Sequence, residues 1–186
     1  YYANQQLNIN ETYSFLNPKA GISFHKEGHK GYFSVACANR EPERNNFTDN
    51  GSEPAPKAER LFDYEMGYSY AAQNWHVSLN LYYMDYHNQF VQTGKKSDIG
   101  EYLTTNIALS HRLGAEISAD YTPLSWLTIA GNAALSQNKI EDFTEYAEDW
   151  GVASGFRTIH YDRSTLAFSP SAIVNGFITA RWKGLT

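Results

Sequence analysis

Cysteine is almost missing from this chain: Cys37 is the only one in 186 residues, which excludes an intrachain disulfide and any zinc site built on cysteine. Long apolar runs are missing too. None exceeds about four residues, whereas a spanning helix needs roughly 20, so helical membrane anchors are excluded. Lys and Arg number 15 against 20 Asp and Glu, a formal net charge of −5. That balance argues against a nucleic-acid partner, because phosphate binding is carried by clustered cations. The start lacks an initiator Met, a basic region followed by an apolar stretch, and a cleavage motif, and "TARWKGLT" ends as abruptly. The chain is expected to be a portion of a longer protein. What it does have is aromatic bulk, with 14 Tyr, 10 Phe and 4 Trp, far more than disordered segments carry.

Period-2 alternation dominates, and helical periodicity finds little support. From Trp75, the residues Trp75, Val77, Leu79, Leu81 and Tyr83 share one face and His76, Ser78, Asn80, Tyr82 and Met84 the other. Ile107, Leu109, Leu113, Ala115, Ile117, Ala119 and Tyr121 oppose Asn106, Ser110, Arg112, Glu116, Ser118 and Asp120, with His111 as a polar intrusion on the apolar side. Residues 61–71 and 126–138 alternate likewise. These patterns predict an all-β antiparallel meander of about seven long strands, near 18–26, 30–40, 60–72, 75–91, 105–122, 126–139 and 165–182. Pro170 marks the last as an edge or a bulge.

The connections alternate in length. "EGH" at 27–29, "QN" at 73–74, "TPLS" at 122–125 and "KGL" near the end suit tight turns. Between them lie long polar stretches at 41–58, 92–104 and 140–163. In a meander all short turns then fall at one end and all long loops at the other, as in outer-membrane barrels. Tyr70, Trp75, Tyr121, Trp126 and Trp182 flank the short turns and read as an interfacial girdle. Aromatics capping the end of a soluble sandwich are the competing reading.

Residues 39–48, "NREPERNNFT", 55–68, "APKAERLFDYEMGY", and 81–100, "LYYMDYHNQFVQTGKKSDIG", resemble TonB-dependent outer-membrane receptors, particularly those of Bacteroides-like bacteria. The family's Asn-Arg-x-Pro-x-Arg motif is matched by Asn39, Arg40, Pro42 and Arg44. Its Pro-x-Pro-Glu-Arg-Leu-x-x-Tyr-Glu-x-Gly motif is matched by Pro56, Glu59, Arg60, Leu61, Tyr64, Glu65 and Gly67, with Ala58 in place of the second Pro. "FLNPKAG" at 15–21 and "LSQNKIEDFTEY" at 135–146 look like the family as well. The resemblance covers about 15–183 and none of it matches the family's plug domain. It implies a 22-stranded outer-membrane β-barrel filled by a plug, whose TonB box is pulled by the TonB complex to admit a ferric siderophore, haem, cobalamin or glycan. This chain would supply about seven strands of that barrel, embedded in outer-membrane lipid.

Strand parity places candidate ligand contacts. Arg40, Tyr86 and Asn88 fall on polar faces near the long-loop ends, with Asn106 at the start of the next strand and Asp63 on its own strand. Lumen charges such as Asp63 and Glu116 are expected to pair with cations such as Arg40 and Arg112. "HKEGH" lacks the Glu and the helix of a zincin motif, and "NNFTDNGSE" places Lys57 where a calcium loop needs Glu, so neither predicts a metal. No cofactor is expected, and no catalytic set aligns on the polar faces. A soluble all-β ligand-binding module and an outer-membrane enzyme stand as the alternatives to a receptor. The open edges of an isolated seven-stranded sheet predict self-association.

Overall fold

The computed structural model describes residues 10–48, 55–96 and 100–182. They form one antiparallel sheet whose elements run β1 (Lys19–Lys26), β2 (His29–Arg40), α1 (Arg44–Thr48), β3 (Glu59–Ala71), β4 (Trp75–Lys96), β5 (Tyr102–Leu124), β6 (Leu127–Glu148), β7 (Phe156–Thr165) and β8 (Ala172–Ala180). β1 to β7 pair in sequence order, and β8 also pairs with β6. β7 lies along the far half of β6 and β8 along the near half. The seven expected strands correspond to β1 to β6 and β8, and the unexpected β7 continues the track of β8 along β6 beyond a break at residues 166–171. Among the described residues no helix is long and apolar enough to cross a membrane.

Tight turns close the near end. Glu27 and Gly28, at φ 48° and 85°, join β1 to β2 in the mirror-image geometry that two-residue hairpins favour. The expected "TPLS" turn is displaced, because β5 continues through a bulge to Leu124 and the turn falls on Ser125 and Trp126. The "KGL" turn at 183–185 and residues 49–54 of the first long loop lie outside the described residues.

Two of the expected long loops are largely strand. β4 runs to Lys96 and β5 begins at Tyr102, while β6 runs to Glu148 and β7 begins at Phe156. Alternation hides these extensions because its phase shifts. Asn88 and Asp142 sit at φ 53° and 52°, the left-handed region that Asn and Asp tolerate best among non-glycine residues. Tyr86 pairs with Ser110, yet the Ser110 hydroxyl donates to Gln89 Oε1. The polar face has thus passed from even to odd residues between Tyr86 and Gln89. Ile107 consequently turns inward, away from the apolar face it was expected to share with Leu109. Val91, Ile107 and Ile140 form a buried apolar cluster, with Phe143 and Leu166 packed against it. The tops of the β4–β5 and β6–β7 hairpins therefore close onto one another. Lys95 Nζ stands 3.8 Å above the Tyr146 ring, and Lys96 Nζ lies 2.9 Å from Glu148 Oε1. That hydrogen bond holds the Lys96 ammonium above the ordinary lysine range.

Below this cluster no second layer covers the sheet among the described residues. Its apolar face carries Ile22, Phe33, Met66, Leu79, Leu113, Ile117 and Leu135, all exposed. Tyr70 and Trp75 meet edge to face at 5.4 Å at the short-turn end, and Tyr64 and Tyr83 lie 6.2 Å apart toward the other. The apolar band is therefore bounded by aromatics at both ends, where only the lower row was expected.

Candidate functional site

The polar face and its long-loop rim hold the candidate residues. Near the short turns, His76 lies 3.3 Å from Asp120, the Ser78 and Ser118 hydroxyls are 2.7 Å apart, and the Tyr32 hydroxyl donates to Asn80 Oδ1 at 2.7 Å. The motif glycine Gly67 has a direct cause. A Cβ there would stand 2.0 Å from the Tyr32 ring, which lies flat across the neighbouring strand, and Tyr82 covers Gly114 in the same way. Aromatic rings laid over strand glycines restore the packing that the missing side chain forfeits. Glu65 shares the polar face, while Tyr64 stands on the apolar one, opposite Tyr83.

Higher up, Asp63 and Arg112 flank Met84 in one cross-strand row. Asp63 Oδ1 and Arg112 Nε are both buried without a hydrogen-bond partner. The Arg112 guanidinium covers the Tyr86 ring at 5.1 Å, and the Tyr86 hydroxyl points to Met84 Sδ at 3.9 Å. The expected pairing of lumen acids with Arg40 is replaced by a different one. Arg40 Nη2 donates to Glu59 Oε2 at 3.0 Å, the same oxygen accepts the Phe90 amide at 3.0 Å, and Arg40 stacks 5.5 Å above the Phe90 ring. One carboxylate thus ties β2, β3 and β4 together at the rim.

The other motif residues brace the loop that leaves β2. Asn17 Oδ1 accepts both the backbone and the side-chain amide of Asn39, and Asn39 Oδ1 accepts Arg60 Nε at 3.0 Å. Pro42 is buried and Arg44 opens α1. Asn46 Nδ2 donates to Thr104 Oγ1 at 2.8 Å, which seats α1 on β5. On the return, past Pro56, the Asn106 amide exchanges two hydrogen bonds with the Lys57 backbone and donates to the Asn88 carbonyl at 2.7 Å. Asn106, Asn88, Arg40 and Tyr86 therefore gather at one rim, Asp63 stands one row below Tyr86, and the Asn106 side chain is occupied in holding the loop. Sequence reasoning missed Phe90 and the joint role of Glu59, because Glu59 meets Arg40 across a 19-residue separation that alternation does not register. His29, from "HKEGH", hydrogen-bonds the Tyr68 hydroxyl at 2.6 Å. No cluster of His, Cys, Asp and Glu disposed to hold a metal ion occurs among the described residues.

A single meandering sheet with one apolar face banded by aromatics and one polar face defines the wall of an outer-membrane β-barrel. More particularly, the TonB dependent receptor-like, beta-barrel family model matches residues 1–185, and the chain belongs to that family, whose members lie in the Gram-negative outer membrane. Two solved structures share the fold. The FrpB iron transporter from Neisseria meningitidis (F3-3 variant) is 19% identical with a TM-score of 0.52, covering 68% of this chain and 20% of that one. The copper transporter OprC is 17% identical with a TM-score of 0.53, covering 64% of this chain and 20% of that one. The chain thus spans a fifth of the length of the structures it matches. No curated protein matches it.

Proposed function

We propose that this chain is a sector of the wall of a TonB-dependent uptake receptor, with the apolar face against outer-membrane lipid and the polar face toward the lumen and a plug domain. The observation that supports it is the doubly bounded apolar band. From Trp75 to Tyr83 it measures about 27 Å along the strand at roughly 3.4 Å per residue. At the ~40° tilt of barrel strands that is a belt about 20 Å high, close to the ~25 Å of outer-membrane barrels. A soluble sandwich would bury this face, and here Leu79, Ile117 and Leu135 are exposed.

The rim then surrounds the ligand entrance. Arg40, Tyr86, Asn88 and Asp63 are the contacts this chain offers to a ferric siderophore, haem, cobalamin or glycan, and Asn106 holds the loop beside them. The iron and copper carried by the two matched transporters favour a metal-bearing ligand. The buried, unpartnered atoms of Asp63 and Arg112 are complementary to polar groups arriving from the lumen side. Energy for transport comes from the TonB complex acting through the plug, and transport rather than catalysis is the activity. In a strain lacking the receptor, uptake of haemin, cobalamin, ferric siderophores and oligosaccharides is measured with and without the intact wild-type protein and with and without TonB. TonB-dependent uptake of one of these is expected to return with the wild type and to fall roughly tenfold in affinity in the Arg40→Ala, Tyr86→Ala variant. Restoration of none would sink the reading, and unchanged affinity in the variant would sink the placement of the contacts.

A further inference from the structure

Just above the upper aromatics the apolar face becomes cationic. Arg60 on β3 stands opposite His87 on β4, and one row below, His111 on β5 stands opposite Lys139 on β6. Ring contacts fix the side: His87 meets the edge of Phe62 at 6.0 Å, and His111 lies 6.4 Å from Tyr83. Two acids share this face: Asp85, 3.3 Å from His87, and Glu141, two residues beyond Lys139 on β6, which is held by Arg163 at 3.0 Å. Three other cations at this end of the sheet are paired with acids: Arg40 with Glu59, Arg163 with Glu141 and Lys96 with Glu148, each within 3.0 Å. Arg60 and Lys139 differ. Their hydrogen bonds go to neutral atoms, Arg60 Nε to Asn39 Oδ1 at 3.0 Å and Lys139 Nζ to Thr165 Oγ1 at 2.8 Å. Each uses one N–H of the five or three that guanidinium and ammonium carry, so charge and donors remain for an outside acceptor. Three strand spacings, about 14 Å at ~4.8 Å each, and one row along the strands separate them.

We propose that Arg60, His87, His111 and Lys139 form a docking row for the phosphate-bearing headgroup of an outer-leaflet lipid. The inference rests on the receptor reading, which places this row at headgroup height. Cations directly above an apolar band bury their methylene stems along it and hold their charged ends at the interface. Uncompensated cations there attract anionic headgroups, and the apolar side chains below receive the acyl chains. A surface merely seeking water would show no preference for phosphate.

The intact receptor, extracted from outer membranes in detergent, is examined by native mass spectrometry against purified lipid A and the same lipid with its phosphates removed. The wild type is expected to retain the phosphorylated lipid at least tenfold better. The Arg60→Gln, Lys139→Gln variant should lose roughly ten- to thirtyfold of that retention while binding the dephosphorylated lipid as the wild type does. Equal retention of the two lipids by the wild type overturns the proposal without recourse to any variant, as does a folded variant that keeps the preference. Displacement of the lipid by millimolar inorganic phosphate would show a free-anion site and overturn the lipid assignment. Absence of the intact protein from the outer membrane would overturn the receptor reading and the docking row together, whereas a membrane-inserted receptor with no phosphate preference overturns the row alone.

Discussion

Glu59 illustrates how one side chain can organise a rim. Its carboxylate is only 14% exposed and accepts from both the Arg40 guanidinium and the Phe90 amide. Replacing it with Ala leaves that amide without an acceptor and frees Arg40 from its counter-charge, a loss of about 2 kcal/mol. Glu59→Gln keeps an acceptor for Phe90 and should cost about half as much, on the same scale of charged against neutral hydrogen bonds. Unfolding of the intact receptor in detergent checks the order of the three proteins, and equal stability of Glu59→Ala and wild type would show that the bracket contributes nothing. Three of the motif residues are thus explicable without invoking ligand: Asn39 staples the strand to Asn17, Gly67 admits the Tyr32 ring, and Pro42 is buried just past the end of β2.

At the scale of the element, the decisive residues are those that shift the phase of a strand. Between Trp75 and Met84 both faces of β4 obey a strict period of two, and that stretch was legible because nothing interrupts it. At Asn88 and Asp142 the left-handed backbone carries the inner face over to the other parity. The residues beyond then read as polar loop although they are paired strand. The rim shared this fate: the position of Arg40 could be read from parity, but its partners Glu59 and Phe90 depend on a long loop returning to a particular register. Replacing Asn88 with Val forces a β-branched residue into the left-handed region, at a cost of about 1–2 kcal/mol, whereas Asn88→Gly is tolerated. Hydrogen exchange should quicken at Gln89, Val91 and Thr93 in the Val variant and leave residues 76–86 protected. Unchanged protection at Val91 would mean that the hairpin top does not need the shift.

Across the whole molecule, the proposed receptor wall exposes its two faces to different solvents, and adjacent residues of one strand should then respond oppositely to the same substitution. Leu79→Arg puts a charge near the middle of the apolar band and should cost ~2–4 kcal/mol of insertion stability. Asn80→Arg puts it on the polar face near Glu116 and should be close to neutral. The heat-modifiable, folded fraction of the intact receptor in outer membranes distinguishes them, and equal tolerance would reverse the assignment of the faces. The isolated 186-residue chain tests the same property in water. Its exposed apolar face and the edges at β1 and β7–β8, unpaired among the described residues, should drive it to associate. Sedimentation without detergent is expected to show oligomers, and a well-behaved monomer would contradict the lipid-facing assignment.

The broken track of β7 and β8 along β6 has a consequence for how such a wall can change over evolutionary time. β7 and β8 each keep their own register with β6, and the residues between them carry Phe168 at φ 58° and 95% exposed. Residues added at 167–169, between Leu166, packed against the Val91 cluster, and Pro170, whose carbonyl accepts the Ser136 hydroxyl, would leave both sets of pairs in place, whereas a single insertion inside β4 or β5 would exchange every inward side chain beyond it for an outward one. Chain length is therefore free to grow at Phe168, and the β6–β7 hairpin can move relative to the β6–β8 pairing while that pairing stays as it is.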